Sequence, residues 1–169
     1  DAQESRGLGD VYKRQVQLTS TGNITENQEI ALAKIREAAG NGARLIVLPE
    51  ATSQNFRSGR LDEQAQSLEG PFATAIQALA EELEVTVVAG MFCPADTVER
   101  DGKTINRVSN TALIAGPGVL GGYDKIHTYD AFDYRESDTV LAGESLVAFD
   151  VDDLVAVSYT HLRAHETPE

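Results

Sequence analysis

Four apolar residues in a row, Leu45-Ile46-Val47-Leu48, stop abruptly at Pro49, and Glu50 stands immediately after them. A short continuous apolar run bounded in this way suits a strand buried on both faces, as in a sheet covered by helices. It narrows the chain to an α/β architecture more sharply than any other stretch. In open α/β sheets, ligands bind at the carboxyl ends of the strands, so Glu50 is placed for chemistry. A carboxylate there is expected to be partly desolvated, which favours its taking up a proton. A strand-end acid also serves as a helix cap or a solvated surface charge, and position alone leaves these readings open.

The segments around this run alternate between strand and helix patterns. Val16 to Leu18 alternates like a strand, and Thr19 to Asn23 reads as a polar loop. Thr25 and Gln28 form a capping-box pattern. Ile30, Ala31, Ile35 and Ala38 then recur at helical spacing until Gly40 to Gly42 stops the helix. With the Glu50 strand this makes a β-α-β unit and a parallel pair. Ala51 to Gln66 is polar and irregular, a natural substrate rim at a strand's carboxyl end. Gly70-Pro71 opens a second helix with Phe72, Ile76, Leu79, Ala80 and Leu83 as its apolar stripe. Val85 to Phe92 reads as a third buried strand, Asp101-Gly102 as a hairpin turn and Ile105 to Ala115 as a further strand. Gly116-Pro117-Gly118-Val119-Leu120-Gly121 has the glycine spacing of a dinucleotide-binding loop. That loop needs a following helix whose N–H groups face the pyrophosphate. Gly122 to His127 reads as strand instead, so a tight turn is the better account.

Composition removes several function classes. A formal charge of −13 and a pI near 4.6 argue against nucleic acid or an anionic membrane as partner. No apolar run approaches a membrane span. The single cysteine, Cys93, excludes an internal disulfide framework and fits a reducing, cytoplasmic setting. No Cys/His cluster with zinc-site spacing occurs in the patterned body, so no metal is expected. His161 and His165 have the i, i+4 spacing of a helical metal pair, but outside that body. Asp150, Asp152 and Asp153 resemble a cation loop without its glycine and terminal glutamate, and a solvated hairpin turn explains them.

The two ends do not continue these patterns. Residues 1-15 have no helix or strand period, and residues 158-169 truncate an apolar run. Both resemble translated sequencing-adapter read-through and are read as non-native segments, leaving 16-157 as the native domain.

Within that window a second group stands out: Tyr123-Asp124-Lys125-Ile126-His127, followed by Arg135-Glu136-Ser137. A lysine among polar residues is by itself an ordinary solvated charge. Together with Gly42 to Glu50, Val16-Gln17-Leu18 and Asn110-Thr111, however, these residues resemble the nitrilase superfamily of carbon–nitrogen hydrolases. The likeness covers nearly all of Val16 to Val157 and is greatest to the amidase and carbamoylase-type branches. It implies a four-layer α-β-β-α sandwich, here incomplete at its C-terminal side. It also implies a Glu-Lys-Cys catalytic set acting on a small-molecule amide, carbamoyl compound or nitrile, without metal or organic cofactor. Glu50 would be the general base, Lys125 the cation beside the developing oxyanion, and Glu136 the second glutamate orienting the lysine and substrate. The resemblance further implies that the parent protein is a homo-oligomer.

One part of the set is missing. The resemblance places the nucleophilic cysteine after the strand Leu154 to Val157, near Thr160, where the chain reads Ser158-Tyr159-Thr160-His161. Cys93 lies between Glu50 and Lys125 in chain order, where the family has no nucleophile, and reads as a small buried or rim residue. His127 reads as a packing residue that holds the lysine's strand. The polypeptide as written is therefore expected to be inactive. The alternative is a non-enzymatic binding protein that keeps the fold and pocket.

Overall fold

A computed structural model describes residues 13–131, 134–152 and 154–158. Its main sheet runs β1(Lys13–Gln15), β2(Leu45–Val47), β3(Thr86–Arg100), β4(Lys103–Gly116), β5(Val119–Asp124) in spatial order. β1–β2 and β2–β3 are parallel pairs, whereas β3–β4 and β4–β5 are antiparallel. This is the expected α/β class, with a β-α-β opening and a parallel pair at its centre.

The parallel connections carry the helices α1(Ile24–Gly40) and α2(Pro71–Glu82). Both bury one stripe against the same sheet face, where Ala31, Ile35, Phe72, Ile76 and Leu79 meet Ile46, Val87, Ala89, Met91 and Leu113. Val87, Ala89 and Met91 of β3 and Leu113 and Ala115 of β4 point into this core because side chains alternate along a strand. The opposite face carries a smaller cluster of Ala51, Phe92, Val108 and Val140. The described residues thus form one helical layer on one sheet face. The four-layer sandwich is an expectation for a longer chain.

Three local expectations need correcting. The first strand is Lys13–Gln15, within the stretch read as non-native, and not Val16 to Leu18. Val16 extends the ladder by one bond, donating its N–H to Val47 O at 2.9 Å, while Leu18 packs on the core. The Thr25–Gln28 capping box does not form. Asn23 is the N-cap, its side chain accepting from the N–H groups of Thr25 and Glu26. The buried stripe of α1 also begins one turn earlier, at Asn27, which is 1% exposed. Ile30, expected on that stripe, is only half-buried.

Asn27 explains how a polar residue occupies a core position. Its Nδ2 donates to Thr21 O (3.0 Å) and Ser53 O (2.9 Å), and its Oδ1 accepts from Thr21 N–H (2.7 Å). Asn55 N–H adds a bond to Thr21 O at 2.9 Å. The loop after Glu50 is therefore irregular, as expected, but not loose: Thr52, Ser53 and Gln54 are buried.

The remaining patterns recur with shifted bounds: β3 runs on to Arg100 past the expected end at Phe92, and the strand read over Gly122 to His127 stops at Asp124. Asp101 and Gly102 form the β3–β4 turn with φ of 51° and 68°. Gly116 to Gly121 forms a strand end, a turn and the start of β5, with no helix behind the glycines, so the dinucleotide reading fails. After β5 come β6(Asp130–Ala131), β7(Tyr134–Arg135), a 3-10 turn at Glu136–Asp138, and β8(Val140–Leu141). A final antiparallel hairpin, β9(Val147–Val151) and β10(Leu154–Ser158), turns at Asp152. Arg44 anchors that turn through two hydrogen bonds to the Asp152 carboxylate, at 3.0 and 3.3 Å. No group of His, Cys, Asp and Glu among the described residues is arranged to hold a metal. No helix among them is long and apolar enough to cross a membrane. His161, His165, Asp153 and Thr160 lie outside the described residues.

Replacing Asn27 by Ala removes the Asn27 partner of the Ser53 carbonyl and of the Thr21 N–H, and leaves the Thr21 carbonyl with the Asn55 N–H alone. Denaturant unfolding of Asn27→Ala is expected to show a loss of about 1–3 kcal/mol. An unchanged midpoint would mean that the two loops are not joined through this side chain.

Candidate active site

The site forms where β4 changes partners. β5 pairs with β4 from Gly116 down to Thr111, and Lys125 N–H continues the ladder to Asn110 O at 2.8 Å. The chain then leaves the sheet and returns as β8, parallel to β4 at Val108 and Ser109. Glu136 sits in the excursion between these two contacts. Gly143 lets the returning chain cross the backbone of β5: its N–H bonds Lys125 O at 2.9 Å, and a Cβ there would lie 2.3 Å from Asp124 O.

Glu50 arrives from the other side. Beyond β2, Leu48 N–H bonds Val88 O, Pro49 O accepts from Gly90 N–H, and Ser53 N–H bonds Gly90 O. The strand pairing thus resumes around a tight excursion that carries Glu50. Two features make it fit. A Cβ at Gly90 would lie 2.5 Å from Ala51 N and 2.7 Å from Glu50 Cα, so only glycine allows this approach. Ala51 takes φ of 58°, a left-handed conformation that costs a non-glycine residue on the order of 1 kcal/mol and often marks functional turns.

These elements bring Glu50, Lys125 and Glu136 together. Lys125 Nζ lies 3.2 Å from Glu50 Oε1, and 3.2 and 3.0 Å from Glu136 Oε1 and Oε2. Glu136 is almost fully buried, its side chain 3% exposed, and Lys125 is 15% exposed. Glu50 departs from expectation: at 54% exposed its side chain is open to solvent, not partly desolvated. Burial by itself would lower the Lys125 pKa, but the Glu136 hydrogen bond and the charges of Glu50 and Glu136 outweigh it and hold it above its ordinary value.

A fourth residue belongs to the group. Asn110 Nδ2 donates to Glu50 Oε1 at 2.7 Å and approaches Glu136 Oε1 at 3.4 Å. It entered the sequence reading only as part of a motif. A polar signal was present: Ser109-Asn110-Thr111 interrupts the apolar half of the strand between Val108 and Ala112, and a buried amide needs partners.

Counting acceptors separates the two glutamates. Glu136 Oε1 faces Lys125 and Asn110, and Oε2 accepts from Lys125 and from Tyr129 N–H at 2.6 Å. Both oxygens are engaged in stabilising the anion. Glu50 Oε1 is likewise shared by Lys125 and Asn110, whereas Oε2 has no hydrogen-bond partner among the described residues. The arrangement therefore offers one accessible carboxylate oxygen beside one fixed ammonium group, the pair that general-base and oxyanion chemistry require.

Cys93 is not part of this group. Its thiol shares the helix-side face with Thr111 and Asp124, which are joined at 2.6 Å, and it packs on the main core. Asn110 and the glutamates occupy the other face. Burial pushes the Cys93 thiol pKa up, with a smaller opposing effect from Thr111. A raised pKa is the reverse of what an activated thiol needs.

Comparison with known proteins identifies the family and the fold of the chain. A family model described as carbon-nitrogen hydrolase matches residues 14–160. A hydrolase of Mycobacterium tuberculosis is 40% identical over 141 residues, covering 80% of this chain and 47% of the relative. A deaminated glutathione amidase of Synechocystis is 34% identical over 135 residues, covering 76% and 48%. A CN-hydrolase superfamily protein of Xanthomonas campestris has a similar structure, with a TM-score of 0.65, 22% identity, and coverage of 81% and 47%. The chain spans about half the length of the curated relatives it matches.

Because Lys125 has a raised pKa in the folded state, its contribution to stability is fully present below about pH 10.5 and is lost as pH rises through the folded value. Lys125→Met leaves buried Glu136 without its cation and is expected to cost about 3 kcal/mol at neutral pH. Unfolding midpoints compared from neutral to alkaline pH should converge for the two proteins. A difference that stays constant or widens would contradict this electrostatic account.

Proposed function

The chain belongs to the carbon-nitrogen hydrolase family, and from that premise we propose that it carries the acid–base part of a thiol-dependent amide hydrolase. The observation that carries the reading is the asymmetry of the carboxylates: among the described residues Glu50 has one oxygen without a hydrogen-bond partner, while Glu136 has both engaged. Glu50 is then the proton carrier, and Glu136 holds Lys125 and its charge.

The mechanism follows from these roles. A cysteine thiol placed after β10 gives its proton to Glu50 Oε2 as sulfur attacks the amide carbon. The oxyanion that forms takes a hydrogen bond from the Lys125 ammonium group. Glu50 passes the proton to the departing nitrogen as the C–N bond breaks, leaving a thioester. Glu50 next takes a proton from water, whose oxygen attacks the thioester, and returns it to the sulfur as the acid departs. Every step uses one carboxylate oxygen and one fixed cation, with no metal or organic cofactor. The substrate class is a small-molecule amide or carbamoyl compound, or a nitrile, and the parent is a cytoplasmic homo-oligomer.

The polypeptide as written lacks that thiol, since its one cysteine is Cys93 on the opposite sheet face. The same observation favours the second reading, a binding protein that holds amides without turnover. Ammonia release from a panel of small amides and carbamoyl compounds tests both. The 169-residue chain is expected to release none. A longer coding version with a cysteine shortly after β10 should be active, and should lose at least about 100-fold with Glu50→Gln or Lys125→Ala. A longer version that binds amides and never releases ammonia would favour the binder. Activity of the present chain that Cys93→Ser abolishes would overturn the site assignment.

A further inference from the structure

Glu136 owes its position to a short segment that the catalytic reading leaves unexplained. Its backbone pairs with Tyr129: Glu136 N–H bonds Tyr129 O at 3.1 Å, while Tyr129 N–H reaches back to Glu136 Oε2 at 2.6 Å. The adjacent pair repeats the connection with side chains. Asp130 Oδ1 accepts from Ser137 N–H at 3.0 Å, and Asp130 Oδ2 accepts from Ser137 Oγ–H at 2.6 Å. Next in the ladder, Asp130 and Arg135 are backbone partners in the β6–β7 pair. A surface aspartate thus uses both carboxylate oxygens to fasten the residue that follows the buried glutamate.

We propose that Asp130 is a positioning residue for the site: its grip on Ser137 sets the rotation of the Glu136 turn, and so the hydrogen bonds of Glu136 to Lys125. Three observations support it. The clasp is two-pointed, so it fixes orientation as well as distance. The glutamate it serves is buried and its ligands leave no slack, because each Oε accepts from two groups. The 3-10 turn that carries Glu136 is only Glu136–Asp138, too short to hold its own orientation. Its far end is tied as well, by the ion pair of Asp138 with Arg100. The carboxylate of Asp130 is held below the ordinary range, first by the Ser137 hydroxyl and then by the Ser137 N–H, so the clasp stays ionised across neutral pH.

The consequence is legible without turnover. Lys125 keeps its proton because Glu136 faces it, so displacing Glu136 makes the amine more nucleophilic. The significance of Asp130 rests on the proposed hydrolase function, but the link from Asp130 through Glu136 to Lys125 does not, and the test reads only that link. The full chain is treated with acetic anhydride at mildly alkaline pH, and acetylation of Lys125 is followed by peptide mass spectrometry. Lys34 and Lys103, away from the site, serve as internal references. Asp130→Ala should raise the Lys125 rate relative to both references by roughly three- to tenfold. Asp130→Asn, which keeps one acceptor, should restore much of the original ratio. Ser137→Ala, which keeps the N–H bond, should give a smaller rise.

A second arm separates positioning from loosening. In a Glu136→Gln background, where the anion is already gone, Asp130→Ala should add nothing, because effects that run through one residue are not additive. General destabilisation would add the same factor in both backgrounds and would overturn the proposal. So would an unchanged ratio in Asp130→Ala. If Asp130→Ala does not fold, the graded pair Asp130→Asn and Ser137→Ala carries the test, and a ratio unmoved in both overturns it.

Discussion

One ammonium group shared by two carboxylates is the interaction around which this molecule is arranged. Moving a carboxylate such as Glu136 out of water costs several kcal/mol unless its charge is matched and its lone pairs are filled. Here Lys125, the Asn110 amide and the Tyr129 N–H fill them. The arrangement is unequal by construction. Glu136 is enclosed and saturated, whereas Glu50 Oε2 has no hydrogen-bond partner among the described residues and about half the Glu50 side chain lies in solvent. Two residues of the same type therefore have different chemistry because their surroundings differ, not their side chains.

The sheet supplies the geometry. Glu50 follows the parallel strand β2, and the antiparallel pair β4–β5 brings Asn110 opposite Lys125, just past the end of β5. The gap where β5 gives way to β8 admits Glu136. Each arrival needs a close passage of backbone over backbone, and glycine stands at two of them, Gly90 and Gly143. The helices lie on the other face. Their packing holds the strands in register and leaves the site face free.

Much of this could be read from residues in order. The apolar run before Pro49-Glu50 signals a strand buried on both faces with an acid at its end. The strand is found, but only Ile46 and Leu48 are buried, Leu45 and Val47 are half-buried, and β2 closes at Val47, three residues before Glu50. Gly122 to His127 reads as strand, and it is one only as far as Asp124; Lys125 adds one further ladder bond before the chain leaves the sheet. What escaped the sequence reading has a common physical origin. Asn27 and Asn110 are polar residues at buried positions, and hydrophobic periodicity does not register a position filled by an amide. Their partners, Thr21 and Ser53 for one and Glu50 and Glu136 for the other, are distant or irregular in sequence. The solvent exposure of Glu50 was likewise illegible, because it depends on what surrounds the strand end and not on the strand. The first strand was displaced because three residues of alternation, Val16 to Leu18, do not distinguish a strand from the chain leaving one.

The central claim is that Lys125 is a charged, enclosed donor held between Glu50 and Glu136. Proton-detected NMR of the lysine ammonium groups tests it most directly, since exposed ammonium protons exchange with water too fast to be seen near neutral pH. The account predicts one slowly exchanging ammonium signal that disappears in Lys125→Arg and is broadened by exchange in Glu136→Gln. No protected ammonium signal, or one that belongs to another lysine, would contradict it.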